Sequence, residues 1–531
     1  MMAGNSIDDY GNSNRNTTNN DDDDSLDDSE DCDEVIPTPS TINSDVTDAP
    51  HLTEEQKKII NTTYGHKTIG TLGGFCLLIG NMTGPGMVGI ALQMQQGGWL
   101  LSIFTFMLIM VVSTFAALFL TESMASIPGN SRFQLRVEFS MLVRFYFGKW
   151  GYILAQVFIN VALQATNIAS IIVCAQVMDS MIVFIFKRTC GLEMYPHAFH
   201  WTCVDQLTGT TSPFVDMYMF FTIGYLIVLV IIIPLGFLNL EDNIIVQIAS
   251  FVIMLIITSS WVVMFCMHGL NTDNLPTFGS GRGMAELIGN VMFNYAYITT
   301  IPSWVNEAKP SVKISKTVWS SVAFSTVIFL AIGIFGSLSF GNMPTNSDIL
   351  SIINSSPEAN VFSKICVYIF PFVVLASSIP VFSIVVRYNL MQNNLLPRSV
   401  ANFISVILPW LIVIPFMTGD GLNLITQWSS IIFSSIANFI IPLIIYLQSI
   451  RFRKNHRHMT AEQRAILKSL MVESVDWEKN INALQREADQ SMYRAAKRFT
   501  IRLCKRVAMA SLIILSILIP LVIVTTIIFG S

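Results

Sequence analysis

The chain has 531 residues, 52% of them hydrophobic and 13% charged, with a mean hydropathy of +0.55. A soluble domain carries roughly 25% charge, so this composition excludes an ordinary globular protein and points to an all-α polytopic membrane protein. The net charge of −5 sums unlike parts, and no nucleic-acid partner is expected.

Residues 1–66 form the first unit. The first 50 hold 14 of the 36 acids and a single base, Arg15, and include DDDDSLDDSEDCDE (21–34). With almost no large apolar residues, this tail is expected to be disordered and cytosolic. Ser25 and Ser29 lie among its carboxylates and suit phosphorylation and cytosolic regulators. No apolar h-region marks a signal peptide.

Apolar runs long enough to cross a bilayer, roughly 17–25 residues or longer with tilt, occur near 71–94, 100–120, 151–186, 217–238, 244–267, 284–305, 317–340, 361–386, 400–418, 422–447 and 507–529. Eleven spans are therefore expected. With a cytosolic N-terminus, 27 of the 31 Lys and Arg residues fall on the inner side and four (Lys187, Arg188, Arg282, Lys364) on the outer. Basic loops stay inside, so the C-terminus is placed outside or in a lumen.

The first span contains IGNMTGPGMVGIALQMQQGG (79–98). Asn81, Met82, Thr83, Gly84, Pro85 and Gly86 discourage a continuous helix where each unpaired backbone group costs several kcal/mol. Such a break is tolerated where it lines a polar cavity. Gly84 and Gly86 let a ligand approach the main chain, and the amides opening the next half-helix form a positive end suited to a carboxylate.

In the third span Gln156, Asn160, Gln164 and Asn167 share one helical face. The tenth repeats the pattern with Asn423, Gln427, Ser430, Ser434 and Asn438. These amides either line a permeation route or hold helices together. In the loop 187–213, Cys190 and Cys203 are expected to form a disulfide in an oxidising compartment. His197 and His200 between them make zinc the lesser alternative.

The sixth span, MAELIGNVMFNYAYITTIPSW (284–304), is interrupted by Asn290, Asn294, Tyr297, Thr299, Thr300 and Pro302. Two interrupted spans five helices apart run in opposite directions, the signature of a transporter built from inverted repeats with its site at the breaks. In the eighth span Ser377 and Ser378 offer oxygens to a hard cation or bond back to their own helix. No central buried carboxylate is evident among the spans. That leaves no obvious proton relay and favours a neutral or zwitterionic cargo.

Residues 449–506 form a basic loop with helical periodicity from Leu470 through Trp477 and Ile481 to Phe499. A helix here would lie on the inner leaflet, brace the bundle's mouth, or serve as a solvated linker. The final span occupies 507–531, after a transport core of ten helices in 67–448. No His/Cys/Asp/Glu cluster, Ser-His-Asp set or phosphate loop stands out, so neither an enzyme nor a resident cofactor or metal is expected.

GPGMVGIALQMQQGGW (84–99), FNYAYITTIPSWVNEAKPS (293–311), ASSIPVFSIVVRYNL (376–390) and SSIIFSSIANFIIPLIIYL (429–447) resemble, in order, helices 1, 6, 8 and 10 of the amino acid/auxin permease family. That resemblance implies a LeuT-type bundle of five plus five helices and secondary transport of amino acids with a co-transported H+ or Na+. It implies substrate contacts from Asn81 to Gly86 and from Phe293 through Asn294, Tyr295 and Tyr297 to Thr299. Asn160 and Gln164 are added as lining residues, and Asn81, Ser377 and Ser378 as cation ligands. Ala91 and Tyr297 stand where the family usually carries a proline and a small residue. The home membrane is expected to be plasma or endolysosomal/vacuolar. The rival reading is an amino acid sensor signalling through its acidic tail, which would lose signalling on deletion of 1–66.

Overall fold

In the computed structural model the apolar runs become helices, described over residues 67–195, 199–206, 212–214, 217–344, 347–356, 359–392, 396–418, 421–454, 459–470, 493–495 and 500–529. The acidic tail, His197 and the periodic stretch beyond Leu470 lie outside the described residues, apart from Tyr493–Ala495. Among the described residues, eight helices are long and apolar enough to cross a membrane, and a bent pair makes a ninth. Two further expected spans correspond to a shorter helix and to the divided sixth segment, both below that length.

The first span is α1 (Thr71–Met82), a 3-10 turn at Pro85–Gly89, and α2 (Ile90–Gly97), bent by 53° at the break. α1 stops because Pro85 has no N–H to donate and holds Gly84 extended, at φ −83° and ψ −168°. Gly98, at φ +84°, turns the chain into α3 (Trp99–Ala125). A Cβ there would sit 2.7 Å from the Thr277 carbonyl oxygen, so this position needs glycine twice over.

α4 (Phe139–Phe186) starts well before the expected 151, because the apolar stretch FSMLVRFYF is also helical. Gly148, at φ +71°, divides it into a short and a long arm. Three antiparallel strands follow, β1 (Thr189–Tyr195), β2 (His200–Val204) and β3 (Tyr218–Thr222), ordered β2-β1-β3. Cys190 and Cys203 face each other across β1 and β2 and form the expected disulfide. Asp179 near the end of α4 holds the sheet, its Oδ1 accepting from Thr189 Oγ1 at 3.0 Å and from the Gly224 amide at 2.8 Å. β3 runs directly into α5 (Ile223–Gly236), whose N-cap is Thr222.

After α6 (Ile244–His268), the sixth segment splits into α7 (Gly281–Asn294), a 3-10 turn at Ile298–Thr300 and α8 (Ile301–Glu307). Pro302 explains the division, since it fits a first turn but cannot continue a helix through 298. α9 (Ile314–Ser339), the short α10 (Ile349–Ser355) and α11 (Val361–Met391) come next. α12 (Arg398–Phe416) precedes α13 (Gly421–Trp428). The chain then passes through π-helical turns at Ser429–Ser434 and Ile436–Ile440 into α14 (Ile441–Lys454). α15 (Ala461–Leu470) docks on the short arm of α4, where Gln463 Nε2 donates to the Phe145 carbonyl at 3.0 Å. α16 (Ile501–Phe529) completes the chain.

Candidate functional site

The two breaks meet. Asn81 Nδ2, at the end of α1, donates to Thr300 Oγ1 at 3.0 Å, and Thr300 Oγ1 donates in turn to the Tyr297 carbonyl at 2.7 Å. The two glycines of the first break serve different ends. A Cβ on Gly84 would meet nothing within 4 Å, whereas one on Gly86 would lie 2.5 Å from Asn290 Oδ1 and 2.9 Å from Asn294 Oδ1. Asn290 Nδ2 also donates to the Gly86 carbonyl at 2.8 Å. Gly84 therefore has open space beside its main chain, while Gly86, expected to admit a ligand, instead lets α7 pack against the 3-10 turn.

In the second break the Thr299 amide donates to Asn438 Oδ1 at 3.0 Å, and Asn438 Nδ2 returns to the Ser434 carbonyl. The polar face of the tenth span thus supplies a partner for a freed backbone donor, and it does so from a π-helical turn, a form often found at functional sites. Among the described residues, and besides the Tyr297 hydroxyl, four buried oxygens around the breaks have no hydrogen-bond partner: Asn81 Oδ1, Asn294 Oδ1, Thr299 Oγ1 and Ser434 Oγ. Leaving such a group unsatisfied costs about 1–3 kcal/mol. Three are acceptors or hydroxyls on the two broken segments themselves, an arrangement suited to an ammonium group. Met82, Thr83 and Phe293 are buried beside them.

Tyr295 and Tyr297 face elsewhere. The Tyr295 hydroxyl pairs with Thr326 on α9, its ring against Phe106 and Phe329. Tyr297, fully buried, turns toward Ser113 and Thr114 of α3. Bulk at 297 is absorbed in a helix interface. The third-span stripe acts mainly between helices: Gln156 donates to the Asn389 carbonyl, Gln164 to the Ile404 carbonyl and Asn167 to Ser383. Asn160 bonds back to Gln156.

The three residues expected to bind a cation are not joined. Ser378 Oγ donates to the Leu375 carbonyl, and Ser377 Oγ to the Val374 carbonyl and Ser250. The Ser377 carbonyl accepts from Gln247 Nε2 at 2.6 Å, and Gln247 Oε1 abuts Gly80. Gln247 of α6 thus bridges α1 and α11, and the sequence reading did not single it out.

A second polar cluster closes the far end of α8, and it too escaped the sequence reading. Glu138, which precedes α4, is buried and accepts from Ser303 Oγ at 2.5 Å and Asn306 Nδ2 at 2.9 Å. Its amide donates to Gln392 Oε1 at 2.8 Å, and the Ser140 amide to Asn389 Oδ1 at 3.0 Å. The Ile69 amide donates to the Glu307 carbonyl at 3.1 Å, and the Lys309 amide to the Ile69 carbonyl at 3.0 Å. Before α1, burial and then the neighbouring Arg136 bring Lys67 down to about 8. Glu307 was visible only as part of NEAKP, a carboxylate following a proline-broken apolar run; its burial is tertiary.

A family model described as transmembrane amino acid transporter protein matches residues 67–473. No curated protein matches the chain. Among solved structures, MHP1, a nucleobase-cation-symport-1 family transporter in a closed conformation with bromovinylhydantoin bound, is similar at a TM-score of 0.53 and 12% identity, covering 86% of this chain and 94% of its own. MhsT in complex with L-phenylalanine is similar at a TM-score of 0.51 and 10% identity, covering 84% and 98%. At those identities the likeness concerns the fold, a LeuT-type five-plus-five inverted repeat with helices 1 and 6 broken.

Proposed function

The chain belongs to the transmembrane amino acid transporter family, and from that premise we propose that it moves neutral or zwitterionic amino acids by alternating access, coupled to H+ or Na+. One observation carries the reading: two broken segments tied by Asn81 and Thr300, with Asn81 Oδ1, Asn294 Oδ1 and Thr299 Oγ1 buried and unpartnered. An α-ammonium group has three donors for these oxygens. The α-carboxylate then lies over Gly84, toward the positive end of the turn at Pro85–Gly89. Met82, Thr83 and Phe293 shape the side-chain pocket around it.

Asn160 and Gln164 contribute if their present bonds along the third span exchange during the cycle. A cation at Asn81, Ser377 and Ser378 likewise requires both serines to leave their own helix. The N-terminus faces the cytosol, in a plasma or endolysosomal membrane.

Reconstituted protein tests this with a panel of labelled amino acids under separate sodium and proton gradients. Gradient-driven accumulation of a neutral amino acid is the expected result. Saturable binding with no accumulation under either gradient would overturn transport in favour of sensing.

A further inference from the structure

Of the buried groups that the proposed substrate site leaves unused, Glu307 is the most exacting. It ends α8, the second half of the broken sixth span, and is fully buried with neither carboxylate oxygen in a hydrogen bond. Around it the mouth is stitched shut by four segments: the chain entering α1 at Ile69, the approach to α4 at Val137–Ser140, α8 itself, and the end of α11 at Asn389–Gln392. The charged and titratable groups facing it are Arg136 and Glu138 ahead of α4, Glu241 between α5 and α6, and Arg387 and Tyr388 on α11. Lys67 stands beyond Arg136.

Two neighbouring buried carboxylates do not both ionise cheaply, and the one with donors keeps the charge. Burial pushes the Glu138 carboxyl up as well, but Ser303 and Asn306 donating to its two oxygens and the nearby Arg136 oppose that, so of the pair it is the one that keeps the charge. Glu307 has only the Tyr388 hydroxyl beside it, outside good hydrogen-bond geometry, and is the acid. The positive charge of Arg136 is shared between Glu138 and Glu307, so it does not single out Glu307 as a second anion.

Resting on the alternating-access reading above, we propose that Glu307 is the proton-binding residue of this mouth. The closed mouth holds it as a neutral carboxylic acid. Opening hydrates it, and the proton passes from its carboxyl oxygen to water, leaving the carboxylate. Closing takes one proton back from the same aqueous phase. Acidity on that side therefore favours the closed mouth, and the return of the carrier to its other face consumes a proton there.

The test uses the full chain in lipid nanodiscs with spin labels at Gly70→Cys and Ser399→Cys, in a Cys32→Ser, Cys266→Ser background. A Cβ at Gly70 meets nothing within 4 Å, and Ser399 and Cys266 are exposed. Pulsed dipolar distances report opening, and amino acid exchange is measured on the same protein in vesicles. In the wild type the open-to-closed ratio should rise with pH, approaching tenfold per unit over about pH 5 to about pH 8.

Glu307→Gln should stay closed and lose the pH response, while Lys67→Gln should keep it. Glu307→Asp, which retains the acid, should keep the response with a displaced midpoint, and this holds the test open if the glutamine variant does not fold. A pH-independent wild type, a Glu307→Gln protein that still responds, or an unmoved midpoint in Glu307→Asp would overturn the proposal. Absence of exchange in the wild type would instead sink the transport reading, whatever the distances do.

Discussion

α8 has two ends built on opposite rules. Where it begins, beside the breaks, Asn81, Asn294 and Thr299 carry buried oxygens without partners. Where it finishes, Glu138, Asn306, Asn389 and Gln392 tie neighbouring segments with bonds of 2.8–3.2 Å. Unmet polar atoms suit a place where a ligand arrives and leaves. A tied seam around one orphaned carboxyl, that of Glu307, suits a closure whose bonds must pass to water before it parts.

The contrast can be broken most sharply at the paired glycines. Gly86→Val should abolish both uptake and folding, because even its Cβ meets the Asn290 amide at 2.5 Å; overpacking of this kind costs about 1–3 kcal/mol or more. Gly84→Ala has open space and an ordinary backbone conformation, so it should melt with the wild type while its uptake falls about tenfold, or about 1.4 kcal/mol. Melting curves alongside uptake separate the two, and a Gly84→Ala protein with full uptake would remove that residue from the site.

At the other end, Glu138→Ala strips the acceptor from Ser303 and Asn306. It should lower stability by about 1–3 kcal/mol with little change in KM, measured by thermal shift and by uptake kinetics. Asn438→Leu leaves the Thr299 amide without its acceptor and should raise KM. Asn438→Asp keeps the acceptor for Thr299 but gives up the donor to the Ser434 carbonyl, so it should recover part of the loss; equal defects in both would argue against the backbone cap. The smallest effect belongs to Gln164→Ala, which gives up one bond to the Ile404 carbonyl. A loss near 1 kcal/mol in stability with unaltered KM would place that amide among the struts.

Much of this architecture was legible in order along the chain. Glycine and proline in an apolar run announce a break, and two cysteines in one loop announce their bond. The unread parts depend on contacts across the bundle. Glu138 and Glu307 lie 169 positions apart, and each reads as an ordinary loop acid until α8 brings its end against the start of α4. Tyr297 reads as a pocket residue because it sits at the break, yet backbone twist turns its ring to α3. Nor does sequence reveal that Ser377 spends its carbonyl on Gln247. Periodicity gives faces, but partners come from packing.

The sheet between α4 and α5 carries a mechanical consequence. Its first strand is riveted to Asp179 of α4 through Thr189, and its last strand continues without a loop into α5, whose second residue is held by the same carboxylate. A tug on the disulfide-linked hairpin would therefore be carried down the long arm of α4 and α5 together. The sheet works as a crossbeam over a fixed frame, and a tether or antibody fastened there would load the frame first, at a distance from the hinges of the broken spans.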